Sequence, residues 1–308
     1  MAHAPDPYAP PLASDRQNLT SGNLFGMVAM ICWAIGFPAA EFLLESWSPL
    51  ALTAARFVLA SLFLLTVWIL IEGPRAALRA QWGRGLLYGG IGFGMGAWLM
   101  LIAQDMTDPV TVAIFVSAMP LSASLIEVVQ DGRRLHRRFV LGLMASIFGG
   151  IIAATGGATP ANMGLGALIA VASTLLYAWG SRATSRSLTG VTHLGRTTVT
   201  LAGGAVITAV IFALSAQIGL EKATGAPIDV SQLWLLALFA IGSLAISQLF
   251  WIASVGKIGV ALASFHINAT PFYVMIVMLG LGSGWSWSQV IGAAIVCFGV
   301  VVAQRRPA

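Results

Sequence analysis

Long uncharged runs of apolar residues alternate along the chain with short polar clusters. A bilayer-spanning helix needs about 20 mostly apolar residues. Ten windows have roughly that length: Gly22 to Leu44, Pro49 to Ile71, Gly85 to Gln104, Pro109 to Gln130, Phe139 to Gly157, Met163 to Ser181, Thr197 to Leu220, Gln232 to Val255, Ile258 to Leu281 and Trp287 to Gln304. Their continuous apolarity predicts helices, because a membrane barrel would show alternating segments of about ten residues.

Loop charges test this count, since Lys and Arg accumulate on the cytoplasmic side of short loops. Loops two, four, six and eight carry Arg75/Arg79/Arg84, Arg133/Arg134/Arg137/Arg138, Arg182/Arg186/Arg196 and Lys257, and the tails carry Arg16, Arg305 and Arg306. The odd-numbered loops hold a single basic residue, Lys222, beside Glu45, Asp105, Asp108, Glu221 and Asp229. This alternation predicts an even number of spans with both termini cytoplasmic. Trp47, Trp82, Trp234, Trp285 and Trp287 fall at span ends, where indole favours the headgroup level. Residues 1–20 are polar and proline-bearing and are expected to form a disordered cytoplasmic tail, with 305–308 as a second tail.

Composition narrows the class. Of 308 residues, 58% are hydrophobic and 9% charged, which excludes an ordinary soluble domain. The net charge of +5 lies in the loops, so the expected partner is a bilayer, not nucleic acid. Cys32 and Cys297 sit in apolar runs without a CxxC or His-rich neighbour, so neither a metal nor a cofactor is expected.

The second half repeats the first at an offset of about 150 residues. Ile91-Gly92 meets Ile241-Gly242, Phe115 meets Phe265, Gly142 meets Gly292 and Gly149 meets Gly299. With one residue slipped, Pro120 meets Pro271. Earlier spans match at a shorter offset, which pairs Ala34 and Gly36 with Ala178 and Gly180 and sets Trp33 opposite Tyr177. A unit of five spans, repeated, enters the membrane in opposite directions. The expected fold is therefore an all-α integral membrane protein of ten transmembrane helices, built as two inverted five-helix repeats (21–158 and 159–304) around a central cavity. Inverted repeats are characteristic of secondary transporters, which expose a midplane site alternately to either side.

At this point the chain resembles the ten-helix drug/metabolite transporters built from two EamA-like halves, over residues 20 to 304. The five-plus-five repeat, Trp33-Ala34, Tyr177-Ala178, Pro120 and Pro271 carry the resemblance. Within that superfamily the chain is similar to bacterial inner-membrane exporters, particularly the aromatic and hydrophobic amino acid branch. The resemblance implies that spans one, three, four, six, eight and nine enclose the cavity, with five and ten peripheral.

Polar and aromatic residues away from span edges tend to face the bundle or a wet cavity. The candidate substrate-binding residues are Trp33, Phe37, Trp98, Phe115, Met119, Tyr177, Gln248, Phe265, His266 and Asn268. Pro38, Pro120 and Pro271 lie deep in spans and are gating candidates, because each removes a backbone donor and can kink its helix. Glu41 and Arg56 lie near the outer ends of spans one and two, close enough for an ion pair, an outer gate or a contact to the charged end of a cargo. Span three holds Gly89, Gly90, Gly92, Gly94 and Gly96, which suit either tight packing or a pivot. His266 is the titratable group expected nearest the midplane, and no deep carboxylate accompanies it.

The chain lacks HExxH, GxSxG and any repeated carboxylate constellation, so an enzyme is not expected. The expected function is an inner-membrane exporter of neutral aromatic and hydrophobic amino acids and related small metabolites. It would work by alternating access, facilitatively, with a monomer as the expected unit. The alternative is a proton-coupled multidrug or cationic-compound effluxer in which Glu41 and the aromatic walls hold the cation.

Overall fold

The computed structural model describes residues 13–131, 137–154, 160–220 and 229–304. Among these, seven helices are long and apolar enough to cross a membrane: α1 Gln17–Leu44, α2 Pro49–Glu72, α3 Trp82–Met106, α4 Pro109–Gln130, α6 Gly164–Ser187, α7 His193–Gln217 and α8 Val230–Ile258. Three shorter apolar helices accompany them: α5 Val140–Ala153, α9 His266–Gly280 and α10 Trp287–Val302. The described residues form no strand, and the chain is a multi-pass membrane protein.

Helix starts follow local chemistry. Ser48 accepts from the Ala51 amide ahead of Pro49, and Asp108 accepts from the Val110 and Thr111 amides ahead of Pro109. Each side chain satisfies donors that the first helical turn leaves free, while proline occupies a position that needs none. Thr192 and Asp229 cap α7 and α8 in the same way.

Two expected boundaries are corrected. Ala13–Thr20, read as part of a disordered tail, continue the first helix, and no proline follows Pro11 there. The expected loop between Val255 and Ile258 is helical through Ala263, and a 3-10 segment, Ser264–Ala269, follows. A single lysine is not enough to end a helix whose backbone bonds are all made. Residues 1–12, 132–136, 155–159, 221–228 and 305–308, with Arg133, Arg134, Lys222, Arg305 and Arg306, lie outside the described residues.

The packing is reciprocal. α1 packs on α8 as α6 packs on α3, and α2 packs on the middle of α8 as α7 packs on the middle of α3. α2 meets α7, α4 meets α9 and α5 meets α10. α3 over Gly89–Met95 and α8 over Leu238–Ile246 both widen into π-helical winding. α4 breaks at Ala118, just before Pro120. Pro271 opens the last regular segment of α9, whereas α1 runs through Pro38 without a break.

The α3 glycines are packing surfaces. A Cβ on Gly92 would stand 2.5 Å from the Gly180 Cα, and one on Gly94 would stand 2.8 Å from the Gly204 Cα. Backbones at that separation require glycine, and small-residue contacts of this kind hold membrane helices together without a hydrophobic driving force.

Candidate functional site

The two ends of the bundle differ in chemistry. At one end the basic loop residues are tied down: Arg84 donates to the Ser187 carbonyl (3.3 Å), Arg182 to Gln130 (3.0 Å) and Lys257 to Asn18 (3.5 Å). The other end carries Glu41, Asp105, Asp108 and Asp229, of which Glu41, Asp108 and Asp229 accept hydrogen bonds. There Gln104 donates to Glu41 (3.1 Å) and to the Phe37 carbonyl (2.8 Å), joining α3 to α1. Gln289 donates to Asp108 (3.1 Å), joining α10 to the start of α4. Trp47 donates to Gln232 (3.2 Å), which donates in turn to Ser46 (3.0 Å).

Between these ends lies a narrow chamber of about 40 Å³, lined by Met30, Trp33, Phe93, Val116, Met119, Thr174, Tyr177, Ser181, Ser243, Leu244, Ser247, Gln248, Trp251 and Ile267. Its walls are aromatic and thioether with a few hydroxyls and one amide. Ser122 and Thr174 pair their hydroxyls (2.7 Å), and Ser243 donates to the Trp33 carbonyl (3.2 Å). By contrast, Ser181 Oγ and Gln248 Nε2 are buried with no partner among the described residues.

Trp33 and Ser243 also line a smaller, tightly closed space with Gly36, Phe37, Arg56, Met100, Leu101, Gln104 and Phe239, too narrow for a water molecule. α1 and α8 meet closely here: a Cβ on Gly36 would overlap Ser243 and stand 3.3 Å from the Phe239 ring. Arg56 is fully buried, and its guanidinium carbon lies 3.8 Å from the Phe239 ring centroid. Beyond Gln104, Glu41 opens onto a third and wider space of about 340 Å³ at the acidic end, with Asp108, Met275, Met278, Ser283 and Gln289. Chamber, arginine pocket and vestibule thus follow one another along the bundle.

Of the residues singled out from sequence, Trp33, Met119, Tyr177 and Gln248 stand in the chamber wall, and Phe37 lines the arginine pocket. Trp98 and Phe115 line neither space. Trp98 is half-buried elsewhere on α3, and Phe115 packs where a Gly150 Cβ would meet its ring at 2.8 Å. His266 bonds Asn23 (3.1 Å) at the basic end of α1, away from the midplane. The Asn268 carbonyl accepts from Cys297 on α10 (3.1 Å), and the side chain of Phe265 lies outside the described residues. Glu41 and Arg56 do not pair; Gln104 stands between them and takes the carboxylate.

Sequence reasoning passed over Phe93, Thr174, Ser243, Ser247 and Trp251. The repeat register was the available signal. It pairs Met30 with Thr174, Trp33 with Tyr177, Phe93 with Ser243 and Val116 with Ile267, and both members of every pair line the chamber. Among the described residues, no three His, Cys, Asp or Glu stand close enough to hold a metal ion.

Comparison with known proteins adds the following. Residues 20–155 match the EamA-like transporter family. The chain is 27% identical over 279 residues to an uncharacterized transporter of Bacillus subtilis (strain 168), YyaM, covering 87% of this chain and 88% of the relative. A solved protein crystal structure superposes with a TM-score of 0.67 at 21% identity, covering 93% of this chain and 98% of that one, which shows a shared fold alone. The family match spans less than half of the chain, and both it and the relative are transporters by description.

Proposed function

We propose that this chain, whose first half matches the EamA-like transporters, exports neutral aromatic and hydrophobic amino acids across a bacterial inner membrane by facilitated alternating access. The observation that carries the reading is the chamber. Trp33, Phe93, Tyr177 and Trp251 offer ring faces to an apolar side chain, and the unpartnered Ser181 and Gln248 offer polar contacts. Pockets for small organic ligands combine an apolar wall with a few placed polar groups in this way.

The ten-helix inverted repeat belongs to the same proposal. Its support is the reciprocal packing of α1 on α8 and α6 on α3, the π-wound middles of α3 and α8, and the pairing of chamber residues across the two halves. A pseudo-twofold axis in the membrane plane would let either end open while the other closes. The hydrogen-bonded acidic rim then acts as the outer gate, and the basic end faces the cytoplasm with both termini.

Reconstitution tests the reading. Liposomes containing the purified protein should take up radiolabelled tryptophan, phenylalanine and leucine saturably with no pH gradient. Absence of uptake of all three contradicts the cargo assignment, and uptake only with a gradient contradicts the facilitative mode.

A further inference from the structure

Arg56 carries a full positive charge on a side chain with no exposure, yet its Nε, Nη1 and Nη2 have no hydrogen-bond partner among the described residues. The ring of Phe239 covers one face of the guanidinium and satisfies none of its N–H groups. A buried charge ordinarily requires a paired, hydrogen-bonded partner. Glu41, the nearest acidic candidate by sequence, is occupied by Gln104.

Gln104 supplies the complementary group in the same pocket. Its amide nitrogen serves two acceptors, the Glu41 carboxylate and the Phe37 carbonyl, which fixes the orientation of the amide. Its Oε1 is therefore an acceptor, and it is buried without a partner. Arg56 and Gln104 thus present an unpaired cationic fork and an unpaired carbonyl oxygen in a tightly closed pocket, which leaves no room for a water molecule and shares Trp33 and Ser243 with the aromatic chamber.

We infer that this pocket, closed here by the contact of α1 with α8, opens to seat the charged head group of the cargo, with the carboxylate on Arg56 and the ammonium on Gln104 Oε1, while the side chain occupies the aromatic chamber. The inference rests on the chamber being the cargo site. A guanidinium fork matches a carboxylate with two parallel N–H···O bonds, and pairing it removes the uncompensated charge. A single arginine fits a monoanion and leaves a multivalent anion unneutralised. Recognition is therefore led by the carboxylate, with the ammonium a weaker determinant because it meets one neutral acceptor.

The test is titration calorimetry of the full chain in lipid nanodiscs with tryptophan, indole-3-propionate, which lacks the amino group, and tryptamine, which lacks the carboxylate. Tryptamine should bind at least about tenfold more weakly than tryptophan, the loss of a charge-assisted contact, and indole-3-propionate should bind between the two. Arg56→Met should abolish the difference between tryptophan and tryptamine, and Arg56→Lys should restore part of it. Where Arg56→Met does not fold, Gln104→Leu serves: it should weaken tryptophan and leave indole-3-propionate unchanged. Tryptamine binding as tightly as tryptophan overturns the inference, as does binding of tryptophan by Arg56→Met at wild-type strength. Arg56-dependent binding of indole-3-propionate without tryptophan transport would sink the amino acid reading and keep the carboxylate seat. Binding of none of the three overturns both.

Discussion

Gly149 on α5 packs backbone to backbone against Gly292 on α10: a Cβ on Gly292 would lie 2.5 Å from the Gly149 carbonyl oxygen. Seven residues along each helix the contact recurs, a Cβ on Gly299 standing 2.6 Å from the Gly142 carbonyl. The repeat register maps Gly142 to Gly292 and Gly149 to Gly299, so each contact is the image of the other. Gly292→Leu is expected to separate the two helices and cost about 1–3 kcal/mol by overpacking. Gly164→Ala, where a Cβ meets nothing within 4 Å, should be neutral. Thermal denaturation in detergent followed by size-exclusion chromatography checks both.

Position in the chamber wall separates the aromatic residues. Trp33→Ala and Tyr177→Ala should each raise the KM for tryptophan about tenfold, the loss of one ring contact and its buried area. Trp98→Ala and Phe115→Leu should leave KM unchanged, since neither lines the chamber or the arginine pocket. Initial uptake rates in liposomes distinguish the two groups.

The close approach of α1 and α8 gives a paired test. Gly36→Ala places a methyl where the Ser243 hydroxyl stands, so transport should fall sharply. Adding Ser243→Gly should restore much of it, since the two sites share one space and their effects are coupled. Failure of the double variant to recover would show that the loss arises elsewhere.

Glu41 lies in the vestibule beyond Gln104 and does not line the chamber. Glu41→Gln should therefore leave tryptophan uptake without a pH gradient close to wild type. Loss of that uptake, or loss of cation efflux with amino acid flux intact, would favour the proton-coupled effluxer.

The apolar segments were legible because a bilayer imposes their length, and the proline-led starts of α2 and α4 because Ser48 and Asp108 announce their caps. Trp33, Met119, Tyr177 and Gln248 were legible as polar, aromatic or thioether side chains deep in spans. Trp98 and Phe115, which line neither space, were not separable by sequence from the residues that do, because a helix apolar all round has no polar face from which to read its rotation. Ser243, Ser247 and Thr174 were passed over because small hydroxyl residues commonly bond their own helix, as Thr174 does to the Val171 carbonyl (2.7 Å). Span nine was read as one helix from Ile258, whereas His266 lies in the 3-10 segment Ser264–Ala269 that precedes the regular helix from Thr270.

Counterflow tests the central claim most directly. Liposomes containing the protein are loaded with unlabelled tryptophan and diluted into a trace of labelled tryptophan with no ion gradient. A carrier alternating between two inverted halves predicts transient accumulation of label above equilibrium, saturable and competed by phenylalanine. Label that only equilibrates, at a rate linear in concentration, would indicate a pore and contradict alternating access.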